Sequence, residues 1–221
     1  MRRVHLIVLR TAAAMVVALW LAVDIGRADN VYRVAFVGDS LNCNVLVRPT
    51  ELYPEQVSRI LGNIAVQNLG RPGGTISNVP GSIFKGWVEM TSAVNAIGGW
   101  FPLSAVVVLV GTNDWAEGQP ATVVEGAYRA FVNHIHPSTK VVCVTPPWRR
   151  DEGKPNRIGE TMGDVRAAIT RACAKRGVVI DGAALIPHEA RFYIDPVHPN
   201  AKGSRYLAEG VAKVLHGVLE N

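Results

Sequence analysis

The sequence contains few charged residues, few cysteines and no segment of biased composition. Charged residues make up 19% of its 221 positions, hydrophobic residues make up 48%, and the 21 glycines and 13 prolines are scattered along the chain. This composition excludes a disordered, collagen-like or coiled-coil protein, because such chains are more highly charged or strictly periodic. The chain is close in length to one domain and is long enough to bury a core. We therefore expect one globular domain.

The chain also lacks a hydrophobic run long enough to span a membrane. The longest run, residues 12–23, follows a basic start, and small residues occupy the −3 and −1 positions of a cleavage site before Asp29. A spanning helix needs about 20 mostly apolar residues, so this segment is typical of a secretory signal peptide, with an uncleaved anchor as the alternative. We predict a signal peptide over residues 1–28 and an exported domain, periplasmic or secreted, over residues 29–221. Membrane contact is expected only through the export signal.

Positive charge is concentrated in this first segment. Without its four arginines and one aspartate, the formal net charge falls from +5 to +2. The remaining sequence has no stripe of Lys and Arg interleaved with aromatic residues, a pattern typical of nucleic-acid binding. We expect no nucleic-acid partner, and the sequence implies no stable protein partner.

Cysteine and histidine are too sparse for a disulfide framework or a metal centre. Cys143 lies in an apolar run and Cys173 on the apolar face of a predicted helix, so we expect buried thiols, with a single bridge as the alternative in an exported protein. The third cysteine, Cys43, falls on another predicted element. His134 and His136 are two residues apart on a predicted helix, where side chains diverge. We expect no metal.

Short apolar runs without polar alternation recur along the chain. Such runs are typical of strands in a parallel sheet that is buried on both faces. The five runs are Val34–Val37, Ile64–Val66, Ala105–Val110, Val141–Val144 and Val178–Ile180. Amphipathic helical stretches alternate with them, one of which is Val165–Cys173, and others follow Pro54, Pro120 and Pro199. This alternation predicts an α/β fold, a three-layer α/β/α sandwich with a five-stranded parallel sheet, whose functional sites lie at the carboxyl ends of the strands.

The sequence predicts the secondary structure of residues 72–102 less clearly than that of the other segments. The apolar spacing around Trp87 and Val94 indicates a helix, whereas Gly98 and Gly99 predict a break in it. This segment is a candidate for covering the site.

Polar residues stand directly after the predicted strands, where a parallel sheet places its site. Ser40 follows the first strand at a tight turn, as a nucleophile must, and Asn113 after the third strand offers an amide donor for an oxyanion. A glycine-rich loop after the second strand, beginning near Gly70, exposes backbone N–H groups. Asp195 stands three residues before His198, so its carboxylate can fix the tautomer of the imidazole. Each signal alone also fits an ordinary turn or cap, but their occurrence in order at one sheet edge favours nucleophilic catalysis.

These residues form four short blocks: Gly38-Asp39-Ser40-Leu41, Gly70, Gly111-Thr112-Asn113-Asp114 and Asp195-x-x-His198. In these blocks, from about Val34 to Asn200, the sequence resembles the SGNH or GDSL hydrolase family. The resemblance implies a flavodoxin-like sandwich and a serine esterase that needs no metal and no organic cofactor. The sequence lacks a Gly-x-Ser-x-Gly motif, since Asn42 stands at the place of its second glycine, which disfavours membership of the α/β-hydrolases.

The resemblance also implies a role for each residue. Ser40 is expected as the nucleophile, His198 as the general base and then acid, and Asp195 as the carboxylate that orients the imidazole. The N–H groups of Ser40 and Gly70 and the side-chain amide of Asn113 are expected to form the oxyanion hole.

Four further residues are weaker candidates. Asp181 and His188 compete for the acid and base roles, but Asp181 fits a turn cap and His188 lacks a carboxylate at the matching offset. Trp115 and Trp148 are candidates for the wall of a substrate pocket, with core packing as the alternative.

The substrate is open at this stage. No large apolar lid follows Ser40, so we expect small-molecule or carbohydrate esters with short acyl or O-acetyl groups rather than long-chain lipids. The same residues would serve an acyltransferase that acts on a cell-surface glycan. A catalytically retired, exported binding protein is the alternative outside the enzymes.

Overall fold

The computed structural model describes residues 31–44, 46–79, 86–100 and 102–221. The predicted signal peptide, residues 1–28, lies outside this part of the chain, so it stays a prediction together with the domain boundary that follows it.

A sheet of five parallel strands forms the middle of the fold, as predicted. The strands are β1 (Tyr32–Gly38), β2 (Ile64–Gly70), β3 (Ala105–Leu109), β4 (Lys140–Val144) and β5 (Val178–Ile180), in the order β2-β1-β3-β4-β5. From β1 the chain first adds β2 on one side and then adds β3, β4 and β5 on the other side. In such sheets a ligand crevice forms at the carboxyl ends of the strands where the order reverses, here beside β1. β2 is longer than its apolar run because it pairs with β1 over the whole length of that strand.

Helices cover both faces of this sheet. α1 (Tyr53–Leu61) and α6 (Ala201–Glu220) pack on one face, whereas α2 (Gly86–Trp100), α4 (Ala121–His134) and α5 (Met162–Cys173) pack on the other, and α3 (Thr112–Ala116) is a short helix after β3. These layers confirm the predicted three-layer α/β/α sandwich. Among the helices of the described ranges, none is both long enough and apolar enough to cross a membrane.

Two hydrophobic cores lie between the sheet and its helices. Successive side chains of a strand point to opposite faces, so Val37, Val106 and Cys143 enter the core under α2, α4 and α5. Phe36 and Val107 enter the core under α1 and α6. All five residues are at most 1% exposed. Burial of both faces explains why β1, β3 and β4 carry no polar alternation, whereas the edge strand β2 is only partly buried.

Two local predictions about helices are corrected by the structure. α2 continues through Gly98 and Gly99, because each glycine costs a helix only about 1 kcal/mol and burial of apolar residues such as Val94 outweighs this cost. α4 ends at His134, so His136 lies in the following loop rather than on the helix.

Cys143 and Cys173 form a disulfide between β4 and α5, so the expectation of two buried thiols is wrong. Their Cα atoms lie 6.5 Å apart because α5 packs directly on β4, and both side chains are fully buried. The single bridge, weighed above as the alternative, is therefore present. Cys43 is a free and partly exposed thiol.

Candidate active site

A chain of hydrogen bonds joins three residues that the sequence placed in one site. Ser40 Oγ lies 2.9 Å from His198 Nε2, and His198 Nδ1 lies 2.7 Å from Asp195 Oδ2. Ser40 follows β1, whereas Asp195 and His198 bound the turn before α6, which we call the 195–198 turn. The fold thus brings together a hydroxyl and an imidazole that are 158 residues apart in the chain.

The 195–198 turn holds its carboxylate with its own backbone. Asp195 Oδ1 accepts hydrogen bonds from the N–H groups of Val197 and His198, each at 2.7 Å. Partial burial disfavours the charged form of Asp195, but the hydrogen bonds from His198 and Val197 outweigh burial and lower the pKa of this carboxyl. The carboxylate therefore stays ionised beside the imidazole, where it fixes the tautomer and stabilises an imidazolium.

A close backbone crossing positions Ser40 at the end of β1. A Cβ atom on Gly38 would lie 2.1 Å from the carbonyl oxygen of Leu109 and 2.5 Å from Asn42 Oδ1, so only glycine fits there. The N–H of Asn42 donates to the carbonyl oxygen of Asp39 at 3.1 Å, which closes the turn that carries Ser40. The packing of β1 against β3 therefore presents the serine hydroxyl at the carboxyl edge of the sheet.

Asp39, directly before Ser40, is a buried carboxyl whose environment sequence reasoning did not anticipate. Its Oδ1 accepts a hydrogen bond from the N–H of Leu41 at 2.9 Å, and its Oδ2 has no partner within the described part of the chain. Burial raises the pKa of this carboxyl to about 7, the bond from Leu41 opposes the rise, and the nearby charge of Asp114 adds to it. A Gly-Asp-Ser turn in sequence does not reveal burial, because that depends on the helix and loops packed behind it.

The N–H of Gly70, a predicted oxyanion donor, already has a partner. It donates to Asn68 Oδ1 at 3.0 Å, and Asn68 Nδ2 donates to the carbonyl oxygen of Asn42 at 2.9 Å. The predicted role of Gly70 therefore requires Asn68 to release this N–H, and that role stays a prediction. Asparagine commonly bonds the N–H two residues further on, so Asn68 itself was the available signal in the sequence.

Asn113 lies in α3 and binds the glycine-rich loop. Its Nδ2 donates to the carbonyl oxygen of Gly74 at 2.9 Å, which uses one of its two amide hydrogens and leaves the other for a ligand. A Cβ atom on Gly74 would lie 3.5 Å from the carbonyl oxygen of Gly38 and 3.7 Å from the Cα of Asp39, so the loop touches the turn that carries Ser40. Asn113 and Ser40 therefore share one edge of the sheet.

Asp114 anchors the same loop from inside the protein. Its carboxylate accepts hydrogen bonds from the N–H of Ile76 at 3.0 Å, from the N–H of Ser77 at 2.9 Å and from the Ser77 hydroxyl. Burial raises the pKa of Asp114, and the bonds from Ser77 and Ile76 oppose the rise. Ser77 belongs to the support of the site but was not predicted, because an isolated serine in a loop carries no signal of its own.

The structure places both competitors for the acid and base roles in other contacts. Asp181 Oδ1 accepts hydrogen bonds from the N–H of Ala183 at 3.1 Å and from Thr145 Oγ1 at 3.3 Å, as expected for a turn cap. His188 Nε2 donates to the carbonyl oxygen of Ala183 at 2.8 Å, and its ring stacks on Trp148 with 5.2 Å between the ring centroids. These contacts account for both residues without a catalytic role.

The two tryptophans differ in their surroundings. Trp115 is only 8% exposed, its Nε1 donates to the carbonyl oxygen of Glu160 at 3.0 Å, and the guanidinium of Arg149 lies 4.4 Å from its ring centroid. Core packing therefore accounts for Trp115. Trp148 is half-buried, stacks on His188 and makes a T-shaped contact with the Tyr193 ring, and its place in a substrate pocket stays a prediction.

A long connection between β4 and α5, residues 145–161, borders the 195–198 turn. We call it the β4–α5 loop. The N–H of Arg150 in this loop donates to the carbonyl oxygen of Pro196 at 2.9 Å. Within the described ranges, no group of three or more His, Cys, Asp or Glu side chains is arranged to hold a metal ion.

The site joins a hydroxyl, an imidazole and a carboxylate in this order at the carboxyl edge of the sheet. Serine hydrolases use this arrangement to activate their nucleophile. The chain belongs to the GDSL-like lipase/acylhydrolase family, whose family model matches residues 36–206. It is accordingly an enzyme that hydrolyses esters. No curated protein matches the chain significantly.

Several solved structures share the fold. A carbohydrate acetylesterase family member from Sinorhizobium meliloti is 18% identical with a TM-score of 0.68, and the match covers 86% of this chain and 100% of that one. The aryl esterase of M. smegmatis is 17% identical with a TM-score of 0.69, over 85% of this chain and 99% of that one. The salicylyl-acyltransferase SsfX3 from a tetracycline biosynthetic pathway is 18% identical with a TM-score of 0.64, over 85% of this chain and 55% of that one.

Proposed function

We propose that the protein is an exported serine esterase that hydrolyses short acyl esters, O-acetyl groups on carbohydrate included, through an acyl-enzyme. The observation that carries this proposal is the hydrogen-bond chain from Ser40 through His198 to Asp195, at 2.9 Å and 2.7 Å. Each group has the neighbour that its role requires, because the base touches the nucleophile and the carboxylate touches the base.

Acylation begins when Ser40 Oγ attacks the carbonyl carbon of the ester and His198 Nε2 takes the hydroxyl proton. The carbonyl oxygen becomes an oxyanion, which the N–H of Ser40 and the second amide hydrogen of Asn113 stabilise, joined by the N–H of Gly70 once Asn68 releases it. His198 then gives the proton to the alcohol oxygen as the bond from carbon to that oxygen breaks. The alcohol leaves and the acyl group stays on Ser40.

Deacylation repeats these steps with water in place of serine. His198 takes a proton from a water molecule, whose oxygen attacks the acyl carbon, and the same donors hold the new oxyanion. The bond to Ser40 Oγ breaks, His198 returns the proton to that oxygen, and the carboxylic acid leaves. Asp195 stabilises the imidazolium in both halves of the reaction.

The exposure of the site supports hydrolysis over acyl transfer. The side chains of His198 and Asp195 are 25% and 35% exposed, so water reaches the base, whereas a transferase has to exclude water from its acyl-enzyme. The likeness to the salicylyl-acyltransferase supports transfer to a cell-surface glycan as the second candidate. The intact hydrogen-bond chain counts against a retired binding protein.

The neighbours support a short acyl group. A carbohydrate acetylesterase family member and an aryl esterase share the fold over nearly their whole length. Acetyl and aryl esters have small acyl or flat alcohol parts that need no long acyl tunnel. This supports our expectation from the sequence, in which no large apolar lid follows Ser40.

The disulfide supports export. Structural disulfides persist in oxidising compartments and are rare in the cytosol. The Cys143–Cys173 bridge is therefore independent support for the signal peptide predicted over residues 1–28. We propose a periplasmic or secreted enzyme.

The test compares hydrolysis of p-nitrophenyl acetate and p-nitrophenyl octanoate by the wild-type protein and its Ser40→Ala variant. We expect the variant to lose kcat by at least about 1,000-fold, because the nucleophile is removed. Ser92→Ala is the matched control, since this exposed hydroxyl only bonds the carbonyl oxygen of Val88 in α2, and it should keep full activity. We expect kcat/KM for the acetate ester to exceed that for the octanoate ester.

Undiminished activity in Ser40→Ala would contradict the nucleophile, and a large preference for octanoate would contradict the short acyl group. Product formed only when a glycan acceptor is added would favour the transferase. Labelling of Ser40 by a fluorophosphonate probe separates both enzymes from a binding protein, which would not be labelled.

A further inference from the structure

The β4–α5 loop forms a fixed wall beside the 195–198 turn. The N–H of Arg150 donates to the carbonyl oxygen of Pro196 at 2.9 Å, and Pro196 directly follows Asp195 and lies two residues before His198. A backbone hydrogen bond at this position places the start of the Arg150 side chain next to the turn that carries the general base. The side chain therefore begins at the rim of the site.

Buried contacts on either side of Arg150 hold the loop in place. Arg149 is only 7% exposed, its guanidinium binds the Asp151 carboxylate with Nη2 to Oδ2 at 3.0 Å, and it lies over the Trp115 ring. Arg166 on α5 donates to the carbonyl oxygen of Pro147 at 2.9 Å. The backbone around Arg150 is thus tied to α3, to α5 and to the 195–198 turn.

The acidic residues of the wall already have other partners: Glu160 accepts a hydrogen bond from the N–H of Ala121 at 2.7 Å, and the other two bind arginines. Asp151 binds Arg149, and Glu152 binds Arg166 Nη2 at 2.8 Å. The Asp195 carboxylate accepts hydrogen bonds from His198 and Val197. These contacts leave no carboxylate of the wall or the turn to neutralise the charge of Arg150.

Arg150 differs from the neighbouring arginines in this respect. Its side chain is exposed, and its guanidinium has no hydrogen bond or ion pair with any residue that the structure describes. A guanidinium presents forked donors that match a carboxylate. The rim of the site therefore carries a positive charge that is free to meet a ligand.

We propose that Arg150 binds a carboxylate on the substrate and gives the enzyme a preference for anionic esters over neutral ones. The inference rests on the proposed function, because it assumes that Ser40 reacts with an ester beside this wall. The carboxylate can be part of the acyl group or part of the alcohol of the ester. In either case the guanidinium binds the same chemical group. The interaction is exposed, so added salt weakens it.

The test uses the full chain and two pairs of esters. In the first pair the acyl group differs, p-nitrophenyl acetate against mono-p-nitrophenyl glutarate; in the second the alcohol differs, methyl 4-acetoxybenzoate against 4-acetoxybenzoate. We expect Arg150→Gln to lower kcat/KM by about 10-fold for the anionic member of one pair, mainly through KM, because a charge-assisted hydrogen bond at an exposed site is lost. The pair that responds identifies the side that carries the carboxylate.

Lys154→Gln is the matched control. Lys154 is exposed in the same loop, at a turn closed by its N–H to the carbonyl oxygen of Asp151 at 3.1 Å, so the variant removes the same charge without touching the 195–198 turn. We expect Lys154→Gln to change the ratio of anionic to neutral kcat/KM by less than about 2-fold, since a distant exposed charge is screened. High salt should reduce the anionic preference of the wild type and leave Arg150→Gln unaffected.

Three results would overturn the inference. An unchanged ratio in Arg150→Gln for both pairs removes the specificity role, and an equal loss on neutral and anionic esters assigns Arg150 to folding of the wall instead. If Lys154→Gln lowers the ratio of anionic to neutral kcat/KM as much as Arg150→Gln does, the preference comes from the net electrostatic field of the protein and not from Arg150. Failure of the proposed function is distinguishable, because it appears as neutral-ester turnover that does not depend on Ser40.

Discussion

Asp39 and Ser40 are adjacent in the chain but have opposite surroundings. Ser40 is partly exposed and its hydroxyl meets the His198 imidazole, whereas the carboxyl of Asp39 is fully buried with a single hydrogen bond from Leu41. Asp114, the other buried carboxyl of the site, accepts three hydrogen bonds and is better able to remain charged. With a pKa of about 7, Asp39 holds a proton in part of the molecules near neutral pH.

This difference predicts how the free energy of unfolding depends on pH. The pKa of Asp39 is about 7 in the folded chain against 3.8 for the free group, so the folded chain keeps a proton that the unfolded chain releases. The free energy of unfolding therefore falls as pH rises from about 4 to 7, by up to about 4 kcal/mol from this group. The raised pKa of Asp114 contributes a slope of the same sign.

Asp39→Asn is expected to flatten this dependence, because asparagine stays neutral and its Oδ1 still accepts from Leu41. Urea unfolding between pH 4.5 and 8 would show the variant more stable than the wild type at the upper end of the range. Glu209→Gln, which removes an exposed carboxylate on α6, serves as the control and should follow the wild-type curve. A variant slope equal to that of the wild type would mean that Asp39 is ionised throughout.

Asn113→Ala tests the oxyanion donor directly. We expect kcat to fall by about 100- to 1,000-fold, because the side-chain amide acts on charge that develops only in the transition state. KM should change little. Since the amide also bonds the carbonyl oxygen of Gly74, the free energy of unfolding should fall by about 1 kcal/mol, measured in urea. If only the free energy of unfolding falls and kcat is retained, Asn113 supports the glycine-rich loop and does not stabilise the oxyanion.

At the scale of elements, the disulfide ties a central strand to a helix that borders the site. Cys143 in β4 and Cys173 in α5 enclose the whole β4–α5 loop, which carries Arg149 and Arg150. The bridge therefore closes the chain segment that forms the wall beside the 195–198 turn.

Removal of the bridge is expected to destabilise the protein more than it affects the chemistry. The cysteines are 30 residues apart, so the double variant Cys143→Ala/Cys173→Ala should lose about 3 to 4 kcal/mol of unfolding free energy through the freer unfolded chain. Urea unfolding with and without a reductant measures this loss. Cys43→Ala is the control and should leave the sensitivity to reductant unchanged. A wild-type midpoint that is indifferent to reductant would contradict the prediction.

At the scale of the whole molecule, the sheet was predictable because both of its faces are buried. The central strands β1, β3 and β4 each contain one buried apolar run, and the prolines before α4 and α6 mark where two helices begin. It was also predictable that Ser40 and Asn113 lie near one another. Both directly follow strands of the predicted parallel sheet, and parallel strands end at the same edge.

Other features depend on contacts between distant segments and left no local pattern. The disulfide required knowing that α5 packs on β4, which apolar periodicity does not specify. The five residues of α3 are too few to show a helical period, and the burial of Asp39 depends on loops that come later in the chain. The partner of the Gly70 N–H was a local feature that only the asparagine two residues before it could have indicated.

The distance of 158 residues between Ser40 and His198 has a consequence for the timing of activity. During synthesis the proposed nucleophile emerges 158 residues before the proposed general base, which stands just ahead of α6. The contact between the two side chains forms only once the 195–198 turn has joined the sheet edge, so we expect the serine to lack its base, and the chain to be inert toward esters, until then. We therefore expect ester hydrolysis to be a late event in maturation and recovery of activity after refolding to mark completion of the fold.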